Sequence, residues 1–309
     1  MTDQTTATAL SHRQEPADIR WMRRCFARWP LSRGKGVLMR GFQPLLGERR
    51  FHFEIEPDVF IPGTLDDYMI RALFMHTLAC ASAWRFSRRL LRTGDTVVDI
   101  GAHIGLWLMG AARRVGPAGI VHAFEPVAEN YVRLCENLAA NRLGWVRTQQ
   151  TAVSDSCGSV FMYAASHGNS AGASMAQRQG IDRQAATEVT TLDRYCEGQG
   201  IRRVHFLKVD VEGAEWLVFR GAVRLLGAAE APAMMFESGE SLAGPLNSSS
   251  PKVKALLKDY GYEIYRYDGK RLEPVAVEQC HVCDDLFAFK PAHFERHPFL
   301  RTVTDGPLP

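Results

Sequence analysis

Residues 97–105 read Val-Val-Asp-Ile-Gly-Ala-His-Ile-Gly, and residues 124–126, a little further along the chain, read Phe-Glu-Pro. A short apolar run that includes an acid near its end predicts a buried strand of a parallel sheet. Gly101 and Gly105 free the following turn from side-chain crowding, so a ligand can approach the backbone there. We therefore expect a strand–turn–helix–strand unit that binds a nucleoside.

The rest of this unit follows from the adjoining residues. Residues 106–115 carry apolar side chains without a Pro, which predicts a helix, and the Gly-Pro-Ala-Gly of residues 116–119 ends it. Residues 120–124 form the next predicted strand. Glu125 then stands where such folds place a carboxylate that accepts hydrogen bonds from a ribose diol.

The glycine spacing indicates which nucleoside. A dinucleotide-binding turn has the pattern G-x-G-x-x-G, whose second glycine lets the backbone reach a pyrophosphate. Here position 103 is His and the glycines are spaced G-x-x-x-G, which disfavours a pyrophosphate. S-adenosylmethionine is the common ligand that has ribose and adenine but no phosphate. If the glycine pair is considered alone, the alternative to a ligand-binding turn is a purely structural turn. The presence of Glu125 favours the ligand-binding turn.

Composition limits the remaining classes. The 309 residues, with 46% hydrophobic and 23% charged side chains, suffice for one large domain with an N-terminal elaboration. A net charge of +3 is too small to predict a nucleic-acid partner, although residues 20–50 hold nine Lys or Arg against one acid, Glu48. No apolar run is long enough to cross a membrane and residues 1–17 lack a signal-peptide core, so we expect a cytoplasmic protein.

The seven cysteines are scattered, which predicts reduced thiols. Cys280 and Cys283 are the one close pair, and since zinc needs about four ligands, no zinc site is expected there.

The N-terminal part divides by pattern. We expect a disordered tail over residues 1–17 and an extension over residues 18–92 that packs on the main domain. Its first element is a basic amphipathic helix from Asp18 to Trp29, ended by Pro30. This helix either docks on the body with solvated arginines or contacts a membrane surface or an anionic substrate. Two edge strands (residues 51–55 and 59–61) and one or two helices (residues 66–91) follow.

The main domain is predicted over residues 93–290, with a C-terminal tail over residues 291–309. After Glu125 the patterns predict a helix (127–140), a third strand (146–153), and two short strands (161–163 and 188–192) around a mobile loop (167–174) that could close over a site. A buried strand (204–209), a helix (216–226), a strand (234–236) and a helix (252–260) follow. The last two strands (262–267 and 286–289) would form an antiparallel hairpin at the sheet edge. Ligands bind at the carboxyl ends of strands in open α/β sheets. Those ends carry acids: Asp99, Glu125, Asp155, Asp210 and Glu237.

With these motifs the chain strongly resembles the FkbM family of S-adenosylmethionine-dependent methyltransferases, over about residues 57–289. The resemblance rests on residues 94–105, on Phe-Glu-Pro at 124–126, on Thr-Leu-Asp at 191–193, and most specifically on the run Leu-Lys-Val-Asp-Val-Glu-Gly-Ala-Glu at 207–215. His103 stands where family members usually have Asn. The resemblance implies an α/β, Rossmann-like seven-stranded class I methyltransferase fold. It also implies methyl transfer to a hydroxyl, often of a sugar, polyketide or other secondary metabolite.

For the donor, we expect Gly101 and Gly105 to admit the methionine part, Glu125 to bind the ribose and Asp155 to lie near the adenine amino group. Asp99 would order the turn and contact the ligand's ammonium through water. His103, in the same turn, is counted with this set and is also a candidate base, since its unperturbed pKa lies near neutrality. The alternative for His103 is a loop histidine that is hydrogen-bonded to backbone.

For the acceptor, Lys208, Asp210, Glu212 and Glu237 form a charged cluster at neighbouring strand ends. The catalytic candidates are Asp210, Lys208, Glu212 and His103. The alternative is a set of ion pairs that fix the strand-to-helix turn, with Glu212 and Glu215 at a helix N-terminus. Asp210 and Glu237 could instead hold one Mg²⁺ that acidifies the acceptor hydroxyl.

Two other classes stay open. One is a methyltransferase of RNA or protein, for which the arginine-rich segment is the only argument. The other is a non-catalytic scaffold attached through the amphipathic helix. The leading expectation is a small-molecule hydroxyl acceptor without nucleic acid, and the apolar stripe of that helix is also compatible with a homodimer.

Overall fold

The computed structural model describes residues 17–28, 35, 39–41, 51–65, 67–77, 80–164, 174–175, 182–239, 246, 248–279 and 284–304. Several sequence predictions lie outside these residues: the tail before Ala17, the Trp29–Pro30 helix end, nearly all of the 167–174 loop, and the Cys280 and Cys283 pair. Contacts divide the chain into two compact units, the smaller formed by Met1–Ala79 with His167–Ala171 and the larger by Cys80–Ser166 with Gly172–Pro309.

The described part of the smaller unit includes two helices and a hairpin. Its elements are α1 (Ala17–Arg28), β1 (Phe51–Glu56), β2 (Val59–Gly63) and α2 (Tyr68–Met75). β1 and β2 pair antiparallel, which confirms the two predicted strands. The predicted amphipathic helix is confirmed as α1, which buries Ile19, Met22 and Phe26. Edge-to-face contacts of Phe74 with Phe26 (5.5 Å) and Phe53 (6.1 Å) give this unit an aromatic core.

The larger unit is built on an eight-stranded sheet with the strand order β12-β11-β13-β10-β9-β3-β4-β5. Its strands are β3 (Thr96–Ile100), β4 (Ile120–Phe124), β5 (Val146–Gln149), β9 (Phe206–Val209), β10 (Ala233–Ser238), β11 (Glu263–Tyr267), β12 (Leu272–Pro274) and β13 (Asp284–Phe289). A second, three-stranded sheet contains β6 (Thr151–Val153), β7 (Gly158–Ala164) and β8 (Asp182–Thr190). The helices are α3 (Ala81–Arg89), α4 (Leu106–Val115), α5 (Ala128–Ala140), α6 (Leu192–Gly198), α7 (Glu215–Arg220), α8 (Val223–Gly227), α9 (Ser250–Asp259), α10 (Pro291–Arg296) and α11 (Phe299–Val303).

The strand directions confirm the predicted fold class. β5, β4, β3, β9 and β10 are mutually parallel, and β13 runs antiparallel to both of its neighbours, β10 and β11. This is an α/β, Rossmann-like sheet of seven strands, to which the short β12 adds an eighth at the edge. No helix in the described ranges is both long and apolar enough to span a membrane.

Two predicted elements are each divided in the structure. The predicted strand 146–153 is two strands, because the chain leaves the large sheet at Gln150 and continues as β6 beside β8. The predicted helix 216–226 is broken into α7 and α8 around Gly221. A Cβ at Gly221 would lie 2.0 Å from the backbone oxygen of Ser154, so this close approach requires a glycine.

The predicted antiparallel pair at the C-terminal end of the domain is confirmed. β11 and β13 pair antiparallel and extend the sheet beyond its parallel strands, with β13 next to β10 and β11 outside it. The last four residues of β13 are all buried, as expected for an interior strand. The predicted tail contains α10 and α11, whose Phe294 and Leu300 are buried.

The two faces of the large sheet differ. Ile100, Val209 and Phe236 belong to the hydrophobic cluster that includes residues of α6, α7 and α9. The neighbouring residues in each strand face the opposite side, because side chains alternate along a strand. There Phe86 of α3 contacts Phe287 at 5.0 Å and Trp107 of α4 stacks on Phe206 at 5.9 Å. We call this side the α3–α4 face.

Candidate active site

The strand register places a glycine and four acidic residues in one line across the sheet. Ile100 pairs with Phe124 and Val209, Val209 with Phe236, and Phe236 with Leu286. The next residues toward the carboxyl ends of the parallel strands are Glu125, Gly101, Asp210, Glu237 and, on antiparallel β13, Asp285. We call these five residues the edge row. Ligands of open α/β sheets bind at this edge.

The glycine turn has no room for side chains. Gly101 has φ +84°, and a Cβ there would lie 1.8 Å from the backbone oxygen of Asp210. Gly105 has φ +91°, and its Cβ would lie 2.8 Å from Leu134 Cδ1. The backbone N–H groups of Gly101 and Ala102 both donate to the oxygen of Phe124, which holds the turn against β4. Both glycines are therefore needed for this backbone path.

His103 enters the site through its backbone. It has φ +51°, in the left-handed region where His and Asn are both enriched among non-glycine residues. Its backbone N–H donates to Glu125 Oε2 at 2.8 Å. The structure thus connects the turn to the predicted ribose acid through the His103 amide, and the role of the ring as a base stays a prediction.

Glu125 is buried and held by three donors. Only 4% exposed, its carboxylate accepts hydrogen bonds from the backbone of His103 and Val127 (3.0 Å) and from Asn130 Nδ2 (3.3 Å). Burial raises the pKa of Glu125 to about 7, although these hydrogen bonds act in the opposite direction. The carboxyl group therefore titrates near neutrality, and hydroxyl donors would favour its ionised form.

Lys208 is enclosed by carboxylates. Its side chain is 3% exposed, and its Nζ lies 3.3 Å from Asp99 Oδ1 and 3.0 Å from Asp210 Oδ2. The ammonium also lies 5.9 Å from the ring centroid of Trp107. Burial alone would lower the pKa of Lys208, but Asp210 and Asp99 together outweigh that effect and raise it. Lys208 therefore remains protonated, so it can position Asp210 but cannot accept a proton.

The strand-to-helix turn after β9 is fixed by Glu215. Its Oε1 accepts hydrogen bonds from the backbone N–H groups of Val211 (3.1 Å) and Gly213 (3.3 Å). Burial, with a contribution from Glu237, raises the pKa of Glu215 to about 8. Glu212 sits inside this turn at φ +54°, and its backbone oxygen accepts a hydrogen bond from Ser174 Oγ.

Three partly exposed carboxylates meet at the edge. Asp210, Glu212 and Glu237 each present an oxygen within 4.8 Å of the others. The predicted Mg²⁺ would therefore find three oxygens. However, Asp210 already pairs with the Lys208 ammonium, which repels a second cation, and exposed acids often cluster without an ion. The magnesium site stays a prediction.

Asp155 has an ion pair of its own. It follows β6 in the smaller sheet, and its carboxylate pairs with Arg220 at the end of α7, at 3.3 Å. None of the contacts recorded for the described side chains connects Asp155 with Glu125 or the glycine turn. Its predicted adenine contact stays a prediction.

Asp285 was missed in the sequence. Two consecutive acids, Asp284 and Asp285, precede an apolar strand, which is also the pattern of an ordinary solvated strand start. Only the antiparallel direction of β13 shows that its first residues, rather than its last, reach the edge where the parallel strands end. Asp285 is the cross-strand partner of Glu237.

Comparison with known proteins identifies the family of this chain. The family model described as the methyltransferase FkbM domain matches residues 99–264, more than half of the chain. Methyltransferase sdnD of Sordaria araneosa is 31% identical over 212 residues, covering 57% of this chain and 76% of the relative. The 31-O-demethyl-FK506 methyltransferase FkbM of Streptomyces tacrolimicus is 26% identical over 202 residues, covering 56% and 75%. Among solved structures, an S-adenosylmethionine-dependent O-methyltransferase of Thermotoga maritima aligns at a TM-score of 0.39 and 17% identity, covering 74% of this chain and 71% of that one.

Proposed function

Because the chain belongs to the FkbM methyltransferase family, we propose that it transfers the methyl group of S-adenosylmethionine to a hydroxyl group of a small molecule. The observation that carries this proposal is the edge row, in which a side-chain-free glycine turn and the buried Glu125 adjoin a group of carboxylates. The glycine turn and Glu125 suit the methyl donor, and the carboxylates suit a hydroxyl acceptor.

The donor side fits a nucleoside with a charged amino-acid tail. The backbone at Gly101 is partly exposed at the carboxyl edge of the sheet, and Glu125 offers a carboxylate to a ribose diol. Asp99 is fully buried, and its Oδ2 has no hydrogen-bond partner among the described residues, so this atom can accept a water that bridges to the ligand's ammonium. When bound, S-adenosylmethionine supplies an activated methyl group. The protein must then hold the acceptor in line and remove one proton.

The acceptor side favours a neutral hydroxyl compound such as a sugar or a polyketide. Carboxylate oxygens accept hydrogen bonds from hydroxyl groups, and Asp210, Glu212 and Glu237 present several of them. One relative is named for an O-demethyl small-molecule substrate, which supports oxygen as the methylated atom. In this mechanism Asp210 and Glu212 contact the acceptor, while Lys208 holds Asp210 in place.

Isothermal titration with S-adenosylmethionine and S-adenosylhomocysteine, with NAD as the control, tests the donor site. We expect both adenosyl ligands to bind with micromolar affinity and NAD not to bind. Radiolabelled methyl transfer to methyl glycosides and cyclic diols then tests the acceptor class. Folded protein that binds neither adenosyl ligand would refute the proposal and favour a scaffold. Methyl transfer to RNA or protein alone would refute the acceptor class.

Turnover should survive removal of divalent cations. Because the Lys208 ammonium already neutralises Asp210, we expect the methyl-transfer rate to change by less than about twofold after exhaustive treatment with EDTA. The measurement compares initial rates before chelation, after chelation and after Mg²⁺ is added back. Loss of turnover that Mg²⁺ restores would instead establish the metal site at Asp210 and Glu237.

A further inference from the structure

Asp285 lies in the edge row, at the start of β13. β13 is antiparallel to β10, and Asp285 is the register partner of Glu237. Directly opposite residues of neighbouring strands project from the same face of a sheet, at a short distance from each other. Asp285 also lies two positions before Phe287, which contacts Phe86 of α3, so Asp285 lies on the α3–α4 face.

The carboxylate of Asp285 has an incomplete set of partners. Its Oδ2 is buried from solvent and accepts no hydrogen bond from any residue that the structure describes. A buried carboxylate oxygen without a donor is costly, so such an oxygen needs either a proton or a ligand group that donates to it. A hydroxyl group at the carboxyl edge would supply that donor.

The charges around Asp285 come from several elements. On β9 and just after it are Lys208 and Asp210, on β10 is Glu237, on its own strand is Asp284, and before α3 is the thiol of Cys80. One ammonium thus faces several acids. Burial, Asp210 and Glu237 outweigh Lys208 and raise the pKa of Asp285 to about 8, in the range where a carboxylate is an effective general base.

We propose that Asp285 is the general base of the methyl transfer, a role that rests on the function proposed above. The acceptor oxygen forms a bond to the methyl carbon, the carbon–sulfur electron pair stays on sulfur to give S-adenosylhomocysteine, and the hydroxyl proton passes to Asp285 Oδ2. Water removes that proton after the product leaves. The other charged candidates are less suited, because the neighbouring carboxylates raise the pKa of Lys208 and keep it protonated, and Asp210 is already paired with that ammonium at 3.0 Å.

The release of protons when S-adenosylmethionine binds tests the role of Asp285. The positive sulfonium of S-adenosylmethionine favours ionised Asp285, whereas the neutral sulfur of S-adenosylhomocysteine does not. Glu125 contacts the ribose, which both ligands share. Titration calorimetry of each ligand in two buffers of different ionisation enthalpy, near pH 8, should show S-adenosylmethionine releasing more protons, by up to roughly half a proton.

The variants separate Asp285 from its surroundings. The extra proton release should vanish in Asp285→Asn and persist in the control Asp284→Asn, whose side chain projects from the opposite face. Its persistence in Asp285→Asn, or its absence in the unmodified protein, would overturn the inference. Failure of S-adenosylmethionine to bind the unmodified protein at all would refute the donor site first.

Turnover gives the second readout. With methyl glycosides or cyclic diols as acceptors, Asp285→Asn should lower kcat by about 10²- to 10⁴-fold, with an unchanged dissociation constant for S-adenosylhomocysteine, which lacks the sulfonium. Asp285→Glu should restore part of kcat, which a merely structural role would not require. In the unmodified protein kcat should rise with pH through a pKa at or below about 8 and level off above it, because bound S-adenosylmethionine favours ionised Asp285. Full activity of Asp285→Asn would overturn the inference.

Discussion

Lys208→Met should destabilise the protein by about 3–5 kcal/mol, because it removes one partner of a buried charge network. The side chain of Lys208 is 3% exposed, and its ammonium is shared by Asp99, which is fully buried, and Asp210. Met fills a similar volume but leaves the two carboxylates without a cation. The measurement is the free energy of unfolding from urea titration followed by circular dichroism.

The same substitution at an exposed ion pair provides the control. Lys258 lies 3.7 Å from Glu263, with both side chains about half exposed to solvent, so Lys258→Met should change the free energy of unfolding by less than about 1 kcal/mol. Adding Asp99→Asn to Lys208→Met removes one of the stranded charges and should recover part of the loss. Equal destabilisation by the two Lys→Met variants would show that the Lys208 network contributes no more than a surface pair.

The role of Lys208 illustrates what the sequence could not show. The run 207–215 identifies a charged cluster at a strand end, and this position is confirmed. The burial of Lys208, however, depends on Trp107 of α4, which covers it. Trp107 lies about a hundred residues earlier in the chain. Residue type alone therefore cannot separate a base from a permanently charged positioning group.

Local patterns were sufficient to predict the fold around the proposed donor half of the site. β3, α4 and β4 follow one another with short turns, so the glycine spacing and the apolar runs determine where Glu125 lies. The proposed acceptor half depends on strand order. β13 enters between β10 and β11, and this insertion brings Asp285 beside Glu237. Such pairing is decided by packing between distant segments, for which the sequence near Asp285 has no signal.

The two predicted elements that the structure divides also depend on contacts between distant segments. Residues 216–226 have helical periodicity throughout, but the contact between Gly221 and Ser154 belongs to two segments far apart in sequence. The strand after α5 changes sheets at Gln150 because β8, which lies more than thirty residues later, offers a second edge. In each case a tertiary contact outweighs the local preference.

Glu125→Gln should weaken the binding of S-adenosylhomocysteine by about 100-fold. Hydrogen bonds to a charged group contribute about 1.5–3 kcal/mol each, and loss of about 3 kcal/mol corresponds to a factor of that size. Gln also presents an N–H donor where Glu125 Oε2 accepts from the His103 amide. The hydrogen bond between the His103 amide and this side chain is therefore lost as well. Glu129→Gln, an exposed substitution on α5, is the matched control and should leave the affinity unchanged.

The pH dependence of binding gives the sharper test of Glu125. Its pKa is about 7 without ligand, and a ribose diol donates to the ionised carboxylate, so the affinity should rise with pH through about 7 and level off above it. S-adenosylhomocysteine is the suitable ligand, because it lacks the sulfonium that would also act on Asp285. Calorimetric titrations between about pH 6 and about pH 8 measure this slope, which Glu125→Gln should abolish and Glu129→Gln should retain. An unchanged slope in Glu125→Gln would mean that another group controls the titration, and it would remove Glu125 from the ribose site.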